Sequence, residues 1–233
     1  MTHATTNRGQ TMTTTRVSAY RWVPPFAQGL VRDLRVRWAL EEAGVPYEER
    51  MLGFGEQSSE GYRALQPFGQ VPAYEEDSLV MFESGAIVYH IAERSERLMA
   101  ADPVGRAHTL TWMFAALNTV EPPIQFLNQI DLLGDDAQSA QPVRAAVLER
   151  VGKRLATLRD RLARRDYLVD GRFSAADLLM TTVLRSLRNT NLLAEIPVLD
   201  GYRKRCEARP AFQKALADQM AHFAKNAPPS AAQ

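Results

Sequence analysis

The residues from Pro67 to Glu93, PFGQVPAYEEDSLVMFESGAIVYHIAE, contain two features suited to holding a peptide-like ligand. The first is Pro72, which stands at the entry of an apolar run that predicts a strand. Proline has no N–H to give to a strand ladder. If the Val71–Pro72 bond is cis, Val71 turns its own N–H and C=O away from the sheet and offers them to an extended backbone. A trans proline at an ordinary strand start is the alternative that these residues leave open.

The second feature is the pair Glu83–Ser84, which directly precedes a helical pattern. A helix N-terminus carries unpaired N–H groups and partial positive charge, so it binds carboxylates well. The serine hydroxyl adds a donor, and the glutamate can accept from an ammonium group. A ligand with a peptide backbone at one end and a free α-amino acid at the other satisfies both features, and glutathione is such a molecule. A plain helix cap is the simpler alternative for Ser84.

The elements that must position these residues alternate between strands and helices over Val17 to about Met99. RVSAYRWV (Arg16–Val23) predicts a strand that ends at two prolines, and GLVRDLRVRWALEEAG predicts a helix that stops at Gly44. PYEERML predicts a second strand, SSEGYRALQPFG one short helix, and VPAYEE with LVMF a hairpin. SGAIVYHIAERSERL is again helical. The order β-α-β-α-β-β-α predicts a four-stranded sheet with helices on both faces.

After Asp102 the patterns are helical, and no convincing strand follows. RAHTLTWMFAALNTV predicts an amphipathic helix disturbed at Pro122 and Pro123. VRAAVLERVGKRLATLRDRLARR, FSAADLLMTTVLRSLRN and YRKRCEARPAFQKALADQM predict three more helices. The second half of the chain is therefore predicted to be an all-α domain.

Composition narrows the class of protein. The 233 residues carry a formal net charge of +1, which argues against nucleic acid as the main partner. The four histidines lie far apart, so no metal site is expected. The single cysteine, Cys206, permits no disulfide within the chain and is interpreted as a buried helix residue. Residues 1–16 are interpreted as a disordered leader and 226–233 as a frayed tail. No apolar run approaches the length of a membrane helix, and a cytoplasmic location is expected.

Four motifs together resemble the cytosolic glutathione transferase superfamily. GQVPA is similar to the family's cis-proline loop, FESGAI to its γ-glutamyl site, and CEARPAF to a recurrent segment near its end. GRFSAADLL is similar to the helix-capping motif of its second domain, with Ser174 as N-cap and Asp177 completing a capping box. The resemblance spans about Val17 to Phe223. It implies a thioredoxin-like domain over 17–99 and an all-α domain over 103–225.

The resemblance also implies how glutathione binds. Gln70 would reach the glycyl carboxylate, and Val71 with Pro72 would pair with the cysteinyl backbone. Glu83 and Ser84 would hold the γ-glutamyl end. Phe26, in the loop after the first strand, is expected beside the same ligand.

The sequence departs from the family where the thiol must be activated. Family members usually place a Tyr, Ser or Cys at the start of the first helix to stabilise the thiolate, but the aligned stretch Leu30–Asp33 has none of the three. Three substitutes remain open: the Tyr20 phenol, the Arg32 guanidinium, and backbone N–H groups of the Phe26–Gly29 turn.

In the family the second substrate binds between the domains, against the first long helix of the second. Trp22 and Trp112 are expected to line this pocket, with Phe114 as core or pocket wall. Asn118 and Glu121 are polar positions on an otherwise apolar helix and either face the cleft or face solvent.

The leading hypothesis is a glutathione S-transferase of the general transferase type. It would conjugate the thiolate to a small electrophile or reduce a peroxide or disulfide, and a homodimer is implied by the resemblance. Two alternatives remain: a ligand-carrying or interaction protein that has kept the fold and lost the chemistry, and a glutathione-dependent isomerase or dehalogenase.

Overall fold

The computed structural model describes residues 14–132 and 141–228. The N-terminal part is built on a four-stranded sheet in the order β2-β1-β3-β4. Strand β1 pairs parallel with β2, whereas β1–β3 and β3–β4 are antiparallel. The strands are β1 Thr15–Tyr20, β2 Glu48–Leu52, β3 Ala73–Glu76 and β4 Leu79–Phe82. The predicted strand order along the chain is confirmed.

Three helices complete this domain: α1 Asp33–Ala43, α2 Glu60–Arg63 and α3 Ser84–Ala92, with a 3-10 turn at Glu56–Ser58 before α2. Helix α1 forms the crossover that parallel neighbours such as β1 and β2 require. It ends where predicted, because Gly44 adopts a φ of 71° and its N–H bonds back to Glu41 and Leu40 carbonyls.

Two predicted boundaries around the first loop are wrong. Strand β1 begins at Thr15 and ends at Tyr20 instead of running from Arg16 to Val23, and α1 begins at Asp33 rather than near Gly29. Gly29 has a φ of 73°, which ends the helical geometry before α1 can start there. The predicted leader, residues 1–16, therefore overlaps the first two residues of β1. Its residues 1–13 lie outside the described residues, as do 229–233 of the predicted tail.

The second domain is helical over its described residues, as predicted. Its helices are α4 Pro103–Phe114, α5 Glu121–Asp131, α6 Gln141–Leu162, α7 Ala175–Arg185, α8 Pro197–Glu207 and α9 Pro210–Lys225. A π-helical segment, Ala115–Val120, joins α4 to α5. Pro122 and Pro123 have no N–H to give to the preceding turn, which explains why the disturbance falls before the prolines.

The last predicted helix is two helices. Arg209 is extended, with φ −65° and ψ 135°, because the following Pro210 disfavours helical geometry in the residue before it. Helices α8 and α9 therefore meet at a corner, and α9 packs along α1 of the first domain.

One continuous hydrophobic core spans both domains. Trp38 of α1 is fully buried, with its ring centroid 5.5 Å from that of Phe173 and 4.7 Å from that of Phe212. The predicted capping box of Ser174 and Asp177 is present at the start of α7. Cys206 is buried, as predicted, and burial raises the pKa of its thiol to about 12. Such a thiol is unsuited to act as a nucleophile near neutral pH.

No helix within the described ranges is both long and apolar enough to cross a bilayer.

Candidate active site

A cavity of about 550 Å³ lies where the two domains meet. Its first wall comes from the end of β1, the loop before α1, and the loop before β3. That wall consists of Tyr20, Phe26, Ala27, Leu30, Val31, Arg32, Gln70 and Val71. The opposite wall belongs to the second domain and is largely polar. It consists of Gln125, Asn128, Asp131, Leu132, Ser186, Asn189 and Thr190.

The loop before β3 has the geometry that GQVPA implies. The Val71–Pro72 bond is cis. Tyr62 donates a hydrogen bond of 2.7 Å to the Gln70 carbonyl, and the Tyr62 and Ser18 hydroxyls lie 2.7 Å apart. Within the described residues neither the N–H nor the C=O of Val71 has a hydrogen-bond partner. A strand-like edge is therefore open at the cavity wall.

Glu83 and Ser84 stand at the start of α3, as predicted. Glu83 adopts a φ of 67°, and Ser84 is buried. The Ser84 hydroxyl accepts a hydrogen bond of 3.3 Å from Nη1 of Arg35, a residue of α1. Because the serine oxygen acts as acceptor here, its hydrogen remains available for donation to a ligand.

Arg35 is a site residue that the sequence analysis did not single out. Its side chain is only 6% exposed, and its guanidinium group forms hydrogen bonds to three different side chains. Besides Ser84 it bonds to Thr182 Oγ1 at 3.1 Å and to Glu121 Oε1 at 2.9 Å. A usable signal was present in the sequence, because an arginine inside a helix that is buried on nearly every side needs a partner for its charge.

Glu121 connects this network to the cavity. The same Oε1 that accepts from Arg35 also accepts from Nη2 of Arg32 at 3.0 Å. Burial on its own would raise the pKa of Glu121, but the charges and hydrogen bonds of Arg35 and then of Arg32 outweigh it and hold that pKa below its ordinary value. Glu121 is 5% exposed. The solvent-facing alternative for this residue is therefore wrong.

Tyr20 and Arg32, the two side chains considered for thiol activation, both line the cavity. Burial, and after it the negative charge of Asp33, raises the pKa of the Tyr20 phenol above 10.0. The phenol therefore keeps its proton at neutral pH and can act as a hydrogen-bond donor. Arg32 forms an ion pair with Glu121, and the same carboxylate also pairs with Arg35.

Backbone N–H groups near the start of α1 are the third alternative for stabilising the thiolate. In the Phe26–Gly29 turn the N–H groups of Ala27 and Gln28 bond to Pro24 and Pro25 carbonyls, at 2.9 and 3.3 Å. The N–H groups of Val31 and Arg32, directly before α1, have no partner among the described residues. Backbone donors are thus available at Gly29, the last residue of the turn, and at the helix start.

Other residues predicted for the pocket lie elsewhere. Asn118 and Phe114 line a second cavity of about 510 Å³ between α3 and α4, together with Glu83. Trp112 packs against the core, with the Arg161 guanidinium carbon 5.3 Å from its ring centroid. Trp22 is half-buried and lies outside the lining of the first cavity. The placement of Asn118 depends on helix rotation, which the apolar pattern did not determine at the π-helical segment.

Comparison with protein families decides the classification. A family model described as the glutathione S-transferase N-terminal domain matches residues 28–93, and the model of the C-terminal domain matches 111–210. The chain belongs to the glutathione S-transferase family. The glutathione S-transferase of Hyoscyamus muticus is 30% identical over 199 residues, which cover 78% of this chain and 92% of that protein. Glutathione S-transferase 4 of Zea mays is 30% identical, covering 87% and 93%.

Solved glutathione transferases share the fold. Poplar glutathione transferase F1 superposes with a TM-score of 0.76 at 24% identity, covering 89% of this chain and 98% of that one. The theta-class enzyme of Xanthomonas axonopodis pv. citri, solved with glutathione bound, gives a TM-score of 0.73 at 29% identity, covering 88% and 98%. The predicted architecture and the predicted family are both confirmed.

Proposed function

We propose that this glutathione S-transferase family member binds glutathione along its cis-proline loop and transfers the thiolate to a small electrophile in the cavity between the domains. The observation that carries the proposal is the unpaired backbone edge of Val71, which opens on the same cavity as Tyr20 and Arg32. Binding and activation are thereby brought to one place.

Glutathione is held at three points in this proposal. The N–H and C=O of Val71 pair with the cysteinyl backbone, and the Gln70 amide meets the glycyl carboxylate. Ser84 donates its hydroxyl hydrogen to the γ-glutamyl carboxylate, and the Arg35 guanidinium behind it adds positive charge. Glu83 accepts from the γ-glutamyl ammonium group.

The thiol is activated by stabilising its anion. When the S–H bond ionises, its proton passes to solvent and the sulfur keeps the electron pair. The Tyr20 O–H is the proposed donor to that thiolate, since its raised pKa keeps it protonated. Arg32 and the free N–H groups before α1 contribute positive potential. Removing one such donor typically costs a factor of about 10²–10³ in turnover.

Once the thiolate has formed, its transfer requires only that the electrophile is held close to the sulfur. The thiolate sulfur forms a bond to an electrophilic carbon, and the leaving group departs with the electron pair of the broken bond. The polar second-domain wall of Gln125, Asn128, Asn189 and Thr190 favours an electrophile that carries hydrogen-bonding groups. A bound pair of reactants avoids the entropy cost of a bimolecular encounter.

A homodimer is part of the proposal. Phe68 and Phe82 are 66% and 38% exposed, and their ring centroids lie 6.0 Å apart. Paired exposed aromatic rings are typical of a surface that another molecule covers, and the same chain carries a largely apolar second cavity that could receive such a ring. We assign that role to a second copy of the chain, with Phe68 seated against the second cavity of its partner. A cytoplasmic location likewise remains a prediction.

The test is a titration of the thiolate absorbance of bound glutathione against pH, in the wild type and in Tyr20→Phe, Arg32→Gln and Glu83→Ala. A pKa well below the free value of about 8.5 supports the transferase, and Tyr20→Phe or Arg32→Gln should raise it. Tyr47→Phe is the matched control, since burial also raises the pKa of Tyr47, to about 12, at a place outside the cavity.

Glu83→Ala should weaken glutathione binding without moving the pKa of the thiol that still binds. Bound glutathione with an unshifted pKa would contradict the proposal and favour a ligand carrier. Turnover of a halogenated arene, a peroxide and a mixed disulfide by the wild type then separates conjugation from reduction and from dehalogenation.

A further inference from the structure

The loop before α1 is fastened to the end of α7 by two arginines. Arg185 donates from Nε to the Gly29 carbonyl at 3.0 Å. Arg188 donates from Nη1 to the Gln28 carbonyl at 2.7 Å and from Nη2 to the Phe26 carbonyl at 3.0 Å. We call these three bonds the arginine clamp. They join residues that are 156 to 162 positions apart in the chain.

The clamp sets the conformation of a cavity wall. Phe26 and Ala27 of the loop line the cavity on one side, and Ser186 and Asn189, which flank Arg188, line it on the other. Arg188 therefore sits where the two walls join. A guanidinium holds two acceptors in a fixed planar arrangement, which an ammonium group does not reproduce.

The bonds to carbonyl oxygens also orient N–H groups. In a trans peptide the C=O and the following N–H point in opposite directions. Since the Gln28 carbonyl faces Arg188, the Gly29 N–H faces away from it. That N–H has no hydrogen-bond partner in the described part of the chain. The peptide between these residues thus presents a free donor opposite the arginine.

The two arginines differ in how their charges are balanced. Arg185 forms an ion pair of 2.9 Å with Glu207. Within residues 14–132 and 141–228, Arg188 has no carboxylate partner, and because its side chain is exposed, its positive charge is balanced by solvent alone. A cation beside a cavity favours an anion inside it, and solvent around the side chain weakens this effect without removing it.

We infer that Arg188 is a positioning residue of the thiolate site, which holds the loop before α1 in place and adds a positive field that partly replaces the missing serine or cysteine. The inference rests on the proposed function. Arg188 directly follows α7 and so belongs to the second domain, whereas the loop that it holds in place belongs to the first.

The test compares Arg188→Gln, Arg188→Lys and the control Arg154→Gln. Arg154 is an exposed arginine of α6, about 15 Å along the helix from Arg144, whose partner Asp131 lines the cavity. Arg188→Gln should raise the pKa of the bound thiol by about 0.5 to 1 unit, because a cation is removed from a partly screened position. The acid limb of the pH profile of kcat/KM should move by the same amount. Arg188→Lys keeps the charge and should fall between the wild type and Arg188→Gln.

Hydrogen exchange of the ligand-free protein supplies a second readout. Arg188→Gln should exchange faster over residues 24–31, whereas Arg154→Gln should match the wild type. An unchanged thiol pKa and pH profile in Arg188→Gln would overturn the inference while leaving the transferase intact. An equal shift in Arg154→Gln would also overturn it, since the effect would then reflect overall charge. A wild type that binds glutathione with an unshifted pKa would instead overturn the proposed function itself, and the inference with it.

Discussion

Arg35 of α1 and Glu121 of α5 form an ion pair of 2.9 Å in which both side chains are 6% exposed. This pair joins the two domains behind the candidate γ-glutamyl subsite, because Arg35 also contacts Ser84. The free energy of folding and the binding of glutathione should therefore depend on the same carboxylate.

Glu121→Ala should lower the free energy of unfolding by about 3–5 kcal/mol, since it leaves a buried arginine without its charge partner. Glu121→Gln keeps an acceptor and should cost less. Denaturant unfolding measures both. Glu149→Gln, which removes an exposed partner of Lys153, is the control and should unfold at the same denaturant concentration as the wild type. Equal stabilities for Glu121→Ala and the control would show that Arg35 does not need this pair.

Glu76 should make the free energy of unfolding depend on pH in the acid range. Hydrogen bonds from Arg94, and also from His90, lower the pKa of Glu76 from 4.5 to about 2 despite partial burial. A carboxyl with a depressed folded-state pKa stabilises the fold fully above its unfolded pKa, and this contribution is lost as pH falls through the folded value. The difference in unfolding free energy between the wild type and Glu76→Gln should therefore shrink from pH 4.5 toward 2. A difference that stayed constant over that window would contradict the assignment.

Gly29→Ala should disturb the site more than Gly44→Ala. Both glycines have positive φ, 73° and 71°, so both substitutions carry a left-handed penalty of about 1–2 kcal/mol. A Cβ on Gly29 would also lie 3.2 Å from Arg185 Nη2, whereas one on Gly44 would meet nothing within 4 Å. We expect Gly29→Ala to lower kcat/KM and Gly44→Ala to leave it unchanged. Equal activities would argue against a role for the clamp geometry.

Asp177 should matter more for stability than its capping partner. Ser174→Ala removes an N-cap and should cost about 1 kcal/mol. Asp177 also accepts from the Leu168 N–H at 2.8 Å and from the Tyr202 hydroxyl at 2.9 Å, both buried. Asp177→Ala leaves these donors unpaired and should cost about 3 kcal/mol or more. Thermal or denaturant unfolding gives the ranking, and the reverse order would refute it.

Phe68→Ser should convert the proposed dimer to a monomer, because it removes the exposed ring that we seat on the second copy. Sedimentation velocity at micromolar concentration measures the mass. Phe54→Ser is the control, since Phe54 is fully exposed and is not part of the Phe68–Phe82 pair. A wild type that sediments as a monomer would contradict the assignment directly.

Local signals determined much of this protein. The capping box at Ser174 and Asp177 and the stop of α1 at Gly44 each depend on a few neighbouring residues, so a short stretch is enough to predict them. The residues around Pro72 left its peptide bond open between cis and trans, and the resemblance to the family implied the cis form. The order of strands and helices follows from hydrophobic periodicity, which reports which face of an element is buried. These features led to the family before any contact was known.

Only the tertiary structure determined which distant residues contact each other. Periodicity does not say what a buried face packs against. The sequence therefore did not identify Glu121 as the partner of Arg35, or the Phe26 and Gln28 carbonyls as the partners of Arg188. The π-helical segment changed the rotation of the chain between α4 and α5 and placed Asn118 in the second cavity, away from Tyr20. Contacts of this kind depend on how whole helices lie against each other, and the free energy that fixes them is spread over the shared core.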